Sequence, residues 1–320
     1  SVSDENMHYL RAYGISQGRV ESGSRCTLPK DVAKRAGSVY EGNFSADYSK
    51  PIDRNILDVD KCSSASGYPP IMHLPQAVGI NIANIFGGST GLTILFGRLA
   101  NLIFYSFALY FIIKWVRVGK WVFVVIGLIP LMVHMAASLS SDCVTNVAVF
   151  VITALTLNLF TQKNALSNKQ IAALVCTGIL LTLTKSINAL LLFPLIFLPK
   201  HLFAANKNKN IPFNIQKWAI LIMIGVAAII SLLIWQKIFG QPLLTTGTTH
   251  NPLHSNPLKF IQILFNTYMN PTIGYTDIVL RGSVGDFSSF KYHLPLFVLI
   301  PLFSLLFLSL LHYNKKDQEL

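Results

Sequence analysis

Long apolar runs joined by short basic loops constrain this chain more than any other feature. Runs near 91–113, 121–138, 143–160, 214–238 and 294–313 each approach the ~20 residues a helix needs to cross a bilayer. Of the 320 residues, 52% are hydrophobic and only 12% are charged. That balance is far from a soluble domain's and points to an all-α polytopic integral membrane protein of about five full spans.

The formal net charge of +12 would suggest nucleic acid in a soluble protein. Here the cations sit in short loops between the runs, with no basic stripe interleaved with aromatics, so nucleic acid is set aside. Lys114, Arg117 and Lys120 follow the first run, Lys163 and Lys169 the third, and Lys200, Lys207, Lys209 and Lys217 lie between 200 and 217. With Lys315 and Lys316 in the tail, these segments read as cytoplasmic by the positive-inside rule.

Residues 1–90 and 239–293 carry balanced charge and read as two sizeable extracytoplasmic loops. The resulting division is a loop over 1–90, membrane helices over 91–238, a second loop over 239–293, and a last span with its tail over 294–320. Within the first loop, Ile71, Leu74, Val78, Ile82 and Ile85 recur at helical spacing, as in an amphipathic helix on the membrane surface. Trp115, Trp121, Trp218 and Trp235 fall near span ends, where indoles anchor at the interface.

The stretch 171–199 has basic loops on both sides and a polar break, Thr184-Lys185-Ser186-Ile187-Asn188. The pattern predicts a hairpin of two short helices with Lys185 near its tip. The rival, one long tilted helix, would leave four lysines outside. An extracytoplasmic start at Ser1, with no signal sequence, implies that a first membrane helix precedes this sequence. Cys26 and Cys62 share the first loop and can pair if it is oxidising there; Cys143 and Cys176 fall in apolar runs.

Several polar residues stand out against this background. Asp4, Glu5, His8 and Arg11 open the chain together. On a helix, Asp4, His8 and Arg11 share one face. They are either chemical groups or decoration of a helix start. Glu5-x-x-His8 matches half of a di-iron motif, but no second carboxylate-rich helix supports it, so no metal is expected. Arg98 lies inside the first span, with Asn101 nearby, and an intramembrane arginine usually faces a protein interior or a wet cavity. Lys185 follows the same logic at the break in its apolar hairpin. Asp142, the lone acid between residues 61 and 276, is either a helix N-cap or a functional group in the short outer loop 138–142. Tyr68 and His73 flank the entry to the amphipathic helix. In the second loop, His250, His254, Asp277, Arg281 and Asp286 suit polar contacts without specifying any.

The ordered set Asp4-Glu5…His8-Tyr9-Leu10-Arg11-Ala12-Tyr13, Tyr68-Pro69-Pro70…Leu74-Pro75-Gln76-Ala77, Gly97-Arg98-Leu99…Asn101-Leu102…Tyr105, Ser138-Leu139-Ser140…Asp142 and Thr184-Lys185 resembles a family of bacterial predicted membrane proteins of unknown function. That family is similar in turn to the GT-C superfamily of membrane glycosyltransferases. The resemblance spans most of 1–200 and weakens beyond about 240. It implies a GT-C-like fold in a bacterial plasma (inner) membrane. It also implies a polyprenyl-phosphate-linked sugar as donor, a glycan or glycolipid acceptor of the cell envelope, and no cofactor. The superfamily places an acid on the first outer loop, which suits Asp4 or Glu5 as general base. Lys185 and Arg98 are then the cations for the donor phosphate, and His8, Arg11, Tyr68, His73, Asn101 and Asp142 the supporting set. The alternatives are a transporter or flippase for lipid-linked sugars, or a non-catalytic envelope-assembly subunit.

Overall fold

The structure is a computed structural model that describes residues 4–19, 26–40, 48–60, 64–203, 213–239, 257–269, 286–287 and 292–311. It is overwhelmingly helical. Helix α1 (Glu5–Ser16) is followed by α2 (Lys30–Tyr40), which lies between strands β1 (Cys26–Pro29) and β2 (Leu57–Asp60). The strands pair antiparallel, with Thr27 opposite Val59. Two 3-10 turns, Ser64–Gly67 and Pro70–His73, lead into α3 (Leu74–Ile85) and the long α4 (Thr90–Trp115). Then come α5 (Lys120–Gly127), α6 (Pro130–Ala136), α7 (Asp142–Phe160) and α8 (Asn168–Thr184). A 3-10 helix (Ser186–Phe197), α9 (Phe213–Phe239), α10 (Pro257–Met269), the short ladder β3 (Asp286–Phe287) with β4 (Tyr292–His293), and α11 (Leu296–Leu311) complete the described chain. The two ladders are the departure from an all-helical expectation.

Among the described residues, three helices are long and apolar enough to cross a bilayer alone: Thr90–Trp115, Asp142–Phe160 and Ile215–Lys237. The expected single span over 121–138 is two short helices instead. Pro130 opens α6, and Ile129 before it is extended (ψ 133°), so α5 has already ended at Gly127. Proline excludes the preceding residue from helical geometry, and this signal outweighed the continuous hydropathy. The last expected span, 294–313, contains a described helix of 16 residues with Pro301 inside it.

Helix α7 is the centre of the bundle. Two-thirds (67%) of its apolar window is buried, against 33% for α4 and 17% for α9. One face of α7 packs Ile152, Leu155 and Leu159 against Leu174 and Leu181 of α8, Leu195 of the 3-10 helix and Ile224 of α9. The other packs Cys143, Val147, Phe150 and Ala154 against Tyr105, Leu109 and Ile112 of α4, Phe123 of α5 and Ala136 of α6.

The chain reverses at Lys185, whose backbone is extended (φ −149°, ψ 126°). Gly178, seven residues before it, faces Leu192, seven after, and the Leu166 amide donates to the Leu202 carbonyl at 2.6 Å. A side-chain hydrogen bond between Gln162 and Gln170 (2.6 Å) holds the basic-loop end of α7 and α8. Lys185 and Asp142 hold the other end.

Helices α3 and α4 form an antiparallel hairpin. Gly87 and Gly88, both at positive φ (94° and 51°), make the turn that side-chain-bearing residues resist. Ser89 caps α4 by accepting from the Leu92 amide at 3.2 Å. Gly79 lets the two helices touch: a Cβ there would collide with the Phe96 carbonyl and stand 2.8 Å from the Ala100 Cβ. Helix α3 therefore stands along α4, with Gln76, Ala77, Gly79, Ile80 and Ala83 buried and the predicted apolar stripe turned outward. A third core, with Tyr9, Ala12 and Tyr13 of α1, Val32 and Ala36 of α2, Ile80 and Ile94, docks the N-terminal helices onto this hairpin.

Candidate functional site

Helix α1 is an unusual element: Glu5, Asn6, His8 and Arg11 are all buried along with its apolar residues. Burying charge is costly unless it is paired, so each polar side chain should have a reason. For Glu5 the reason is Arg98. The arginine Nε donates to Glu5 Oε1 and Nη2 to Oε2, both at 2.7 Å, a two-pronged ion pair bridging 93 residues of sequence. The Leu139 amide adds a third bond to Oε1 at 3.0 Å. Glu5 is 1% exposed. Both its oxygens accept hydrogen bonds from within the protein. Glu5 and Arg98, expected as base and phosphate ligand, are each other's partner in this structure.

That pair is part of a clamp on the 138–141 turn. Asn101 Nδ2 donates to the Ser138 carbonyl (2.8 Å), and Gln76 Nε2 donates to the Ser140 carbonyl (2.9 Å). The Ser140 amide donates to Ser138 Oγ, and the Asp142 amide to Ser140 Oγ. Residues from α1, α3 and α4 thus fix the turn that launches α7. The turn delivers Asp142, the first residue of α7, to Lys185 at the tip of the reversal, Nζ to Oδ1 2.7 Å. Ser141, not Asp142, occupies the N-cap position.

Asp4 stands on the open side of this arrangement with a side chain 62% exposed. His8 Nε2 lies 3.4 Å from Asp4 Oδ2, and His8 Nδ1 lies 2.9 Å from His73 Nε2. The rings of Tyr68 and His8 stack at 6.0 Å between centroids. Arg11 Nη2 donates to the Tyr68 carbonyl at 3.1 Å, pinning the segment before α3. Trp235 of α9 donates its indole N–H to the Gly67 carbonyl at 3.0 Å and ties the far end of α9 to the same segment.

The network assigns the protons. His73 Nδ1 is buried with no hydrogen-bond partner among the described residues. An unpaired ring nitrogen is less costly without a hydrogen than with one, so the His73 proton sits on Nε2 and is donated to His8 Nδ1. His8 then carries its own proton on Nε2, aimed at Asp4. The hydrogen bond from His8 holds the Asp4 carboxyl below its ordinary range, against the opposing pull of burial, and the Lys185 charge adds to the effect. Burial alone would lower the Lys185 ammonium; Asp142 outweighs it, Tyr68 and Asp4 contribute, and Lys185 is held above its ordinary value. Burial pushes the Arg11 guanidinium down to about 10, which leaves it charged at neutral pH.

Burial, then His8 and Arg11, hold His73 well below the usual histidine range. The folded chain therefore binds fewer protons at His73 than the unfolded chain. Its contribution to stability is complete above the unfolded value of about 6.5 and declines as pH falls below it, by up to ~1.4 kcal/mol per pH unit. Unfolding midpoints in detergent measured from pH 7.5 to 5 should drop for the wild type and flatten in His73→Gln. Equal slopes in the two proteins would exclude His73 as the source.

The structure thus brings Asp4, His8, Tyr68, His73, Asp142 and Lys185 to one place, with Arg11 supporting and Glu5, Arg98 and Asn101 behind it. His250, His254, Asp277, Arg281 and Cys62 lie outside the described residues, as does the Cys26 side chain; Asp286 falls in β3. Sequence reasoning missed Gln76 and the three pairings. A signal existed for two of them: a membrane-embedded arginine needs an anion, and Asp142 is the lone acid in more than 200 residues around Lys185. Nothing in the sequence joins His8 to His73.

A family described as predicted membrane protein (DUF2142) matches residues 1–315. The chain belongs to that family. No curated protein and no solved structure matches it. Membership establishes a membrane protein of unknown function across nearly the whole sequence, in keeping with the three spanning helices.

Proposed function

We propose that this protein transfers a sugar from a polyprenyl-phosphate-linked donor to a hydroxyl of an envelope glycan or glycolipid, with inversion at the anomeric carbon. The observation that supports this reading is the Asp4 carboxylate. It is exposed, kept ionised, oriented by His8, and close enough to Lys185 for the two charges to stabilise each other. Asp4 takes the proton of the acceptor hydroxyl as that oxygen bonds to the anomeric carbon. The bond from that carbon to the phosphate oxygen breaks, and polyprenyl phosphate leaves beside the Lys185 ammonium, which has donors beyond the one given to Asp142. Glu5 and Arg98 hold the turn that positions Asp142 and Lys185.

The test is transfer by the protein in phospholipid vesicles, supplied with a radiolabelled polyprenyl-phosphate sugar and envelope extract. Lys185→Met should raise KM for the donor by ~10- to 100-fold, the worth of a charge-assisted hydrogen bond to phosphate. Asp142→Asn, which keeps the ammonium, should cost much less. Unchanged kcat/KM in Lys185→Met would refute the phosphate role. Movement of the labelled lipid across the bilayer without transfer would replace the enzyme by a transporter.

A further inference from the structure

Helix α4 has 26 residues, about 39 Å at 1.5 Å per residue, and is longer than the ~30 Å hydrocarbon core. Its lower end is marked by Lys114 and Trp115, with Arg117 and Lys120 just beyond. Counting about 20 residues, or ~30 Å, upward from Trp115 places the opposite boundary near Leu95.

Helix α3 runs antiparallel to this upper part. Gly97 faces Ile80 and the Gln76 carbonyl, both 3.5 Å from its Cβ position, and Gly79 faces Phe96 and Ala100. These contacts set the level of each residue. Leu74 and Val78 lie alongside Ile103 and Leu99, below the boundary. Ile82 lies at the height of Leu95, and Ile85 about one turn above it.

The outward stripe of α3 is apolar apart from the exposed Asn81. Leu74, Val78, Ile82 and Ile85 are 40–79% exposed, and Ile71 and Phe86 extend the row at either end. Helix α3 contains no charged residue. Leu95, Leu99, Ile103 and Phe107 of α4 are exposed as well, and they continue down the spanning part of that helix.

We infer that α3 is a half-inserted helix whose outer stripe is covered by the acyl chains of the leaflet on the α1 side. Three observations converge on lipid as the occupant. Leu74 and Val78 lie at acyl-chain depth by helix length, the stripe is continuous with the lipid-facing surface of a spanning helix, and the exposed Asn81 stands near the height of Leu95, where the hydrocarbon ends. The inference does not depend on the transfer reaction. Its consequence is local: α3 carries Gln76 and is preceded directly by His73, so the leaflet reaches the wall of the site. The Glu5–Arg98 pair, level with that wall, then lies within hydrocarbon, where an unpaired member would be untenable.

The test uses the unmodified protein in phosphatidylcholine vesicles containing a minor share of phosphatidylglycerol. A trace of phosphatidylcholine carries a diazirine either in mid-chain or next to the acyl carbonyl. After photolysis, adducts are mapped by mass spectrometry. Exposed Ile222, Ile229 and Leu233 of α9 serve as the internal reference for lipid contact. The mid-chain probe should mark Leu74 and Val78, and the carbonyl-proximal probe Ile82 and Ile85, at yields comparable to α9. Labelling of α9 with none over 74–86 would overturn the inference and leave the stripe to a protein partner. So would labelling in the reverse depth order.

Discussion

Glu5→Ala should lower stability by ~3–5 kcal/mol, because it leaves the Arg98 guanidinium without its anion in a setting that offers little water. The pair is two-pronged at 2.7 Å on both arms, and Glu5 is 1% exposed, so Glu5 cannot turn outward at low cost. The damage should spread, since the Leu139 amide also loses its acceptor and the turn ahead of α7 loosens. Glu5→Leu with Arg98→Leu should be distinctly less harmful than either single change, because two apolar side chains remove the buried charge altogether. Thermal unfolding in one detergent, followed by loss of helical signal, checks both. If Glu5→Ala melts with the wild type, or the double variant is as unstable as the sum of the singles, the pairing does not carry this energy.

Asp4→Asn should behave in the opposite way, nearly silent in stability and severe in rate. The side chain is 62% exposed, so the amide fits without repacking. Loss of a positioned general base should reduce kcat by ~10²–10⁴-fold with little change in KM. The pH profile separates a base from a bystander. His8 holds the Asp4 carboxyl below its ordinary range, so the basic form persists as pH falls, and the acid limb due to Asp4 lies below the usual aspartate range. His8→Phe removes that hydrogen bond and should move the limb upward. Transfer by Asp4→Asn within twofold of the wild type would end the assignment.

Much of the architecture was legible because a bilayer punishes exposed backbone polar groups and rewards apolar length. The runs that became α4, α7 and α9 could be read directly, and the break at Thr184-Lys185 is where the chain turns back. The run over 121–138 misled because hydropathy sums side chains and ignores what Pro130 does to Ile129. The stripe Ile71, Leu74, Val78, Ile82, Ile85 was visible, yet its setting was not. Only Gly79 and Gly97, meeting across the hairpin, stand α3 upright along α4.

The same division runs through the site. Sequence alone determined that Asp4, Glu5, Arg98, Asp142 and Lys185 are charges in a chain that tolerates few, each therefore needing a partner or a task. The tertiary structure decided which has which. Glu5 and Asp4 are neighbours in sequence and alike in chemistry, but successive side chains on a helix point about 100° apart. That rotation turns Glu5 inward to Arg98 and Leu139 and leaves Asp4 on the open side with His8. Partner choice was set by contacts spanning 93, 65 and 43 residues, and no local pattern encodes a distance of that kind.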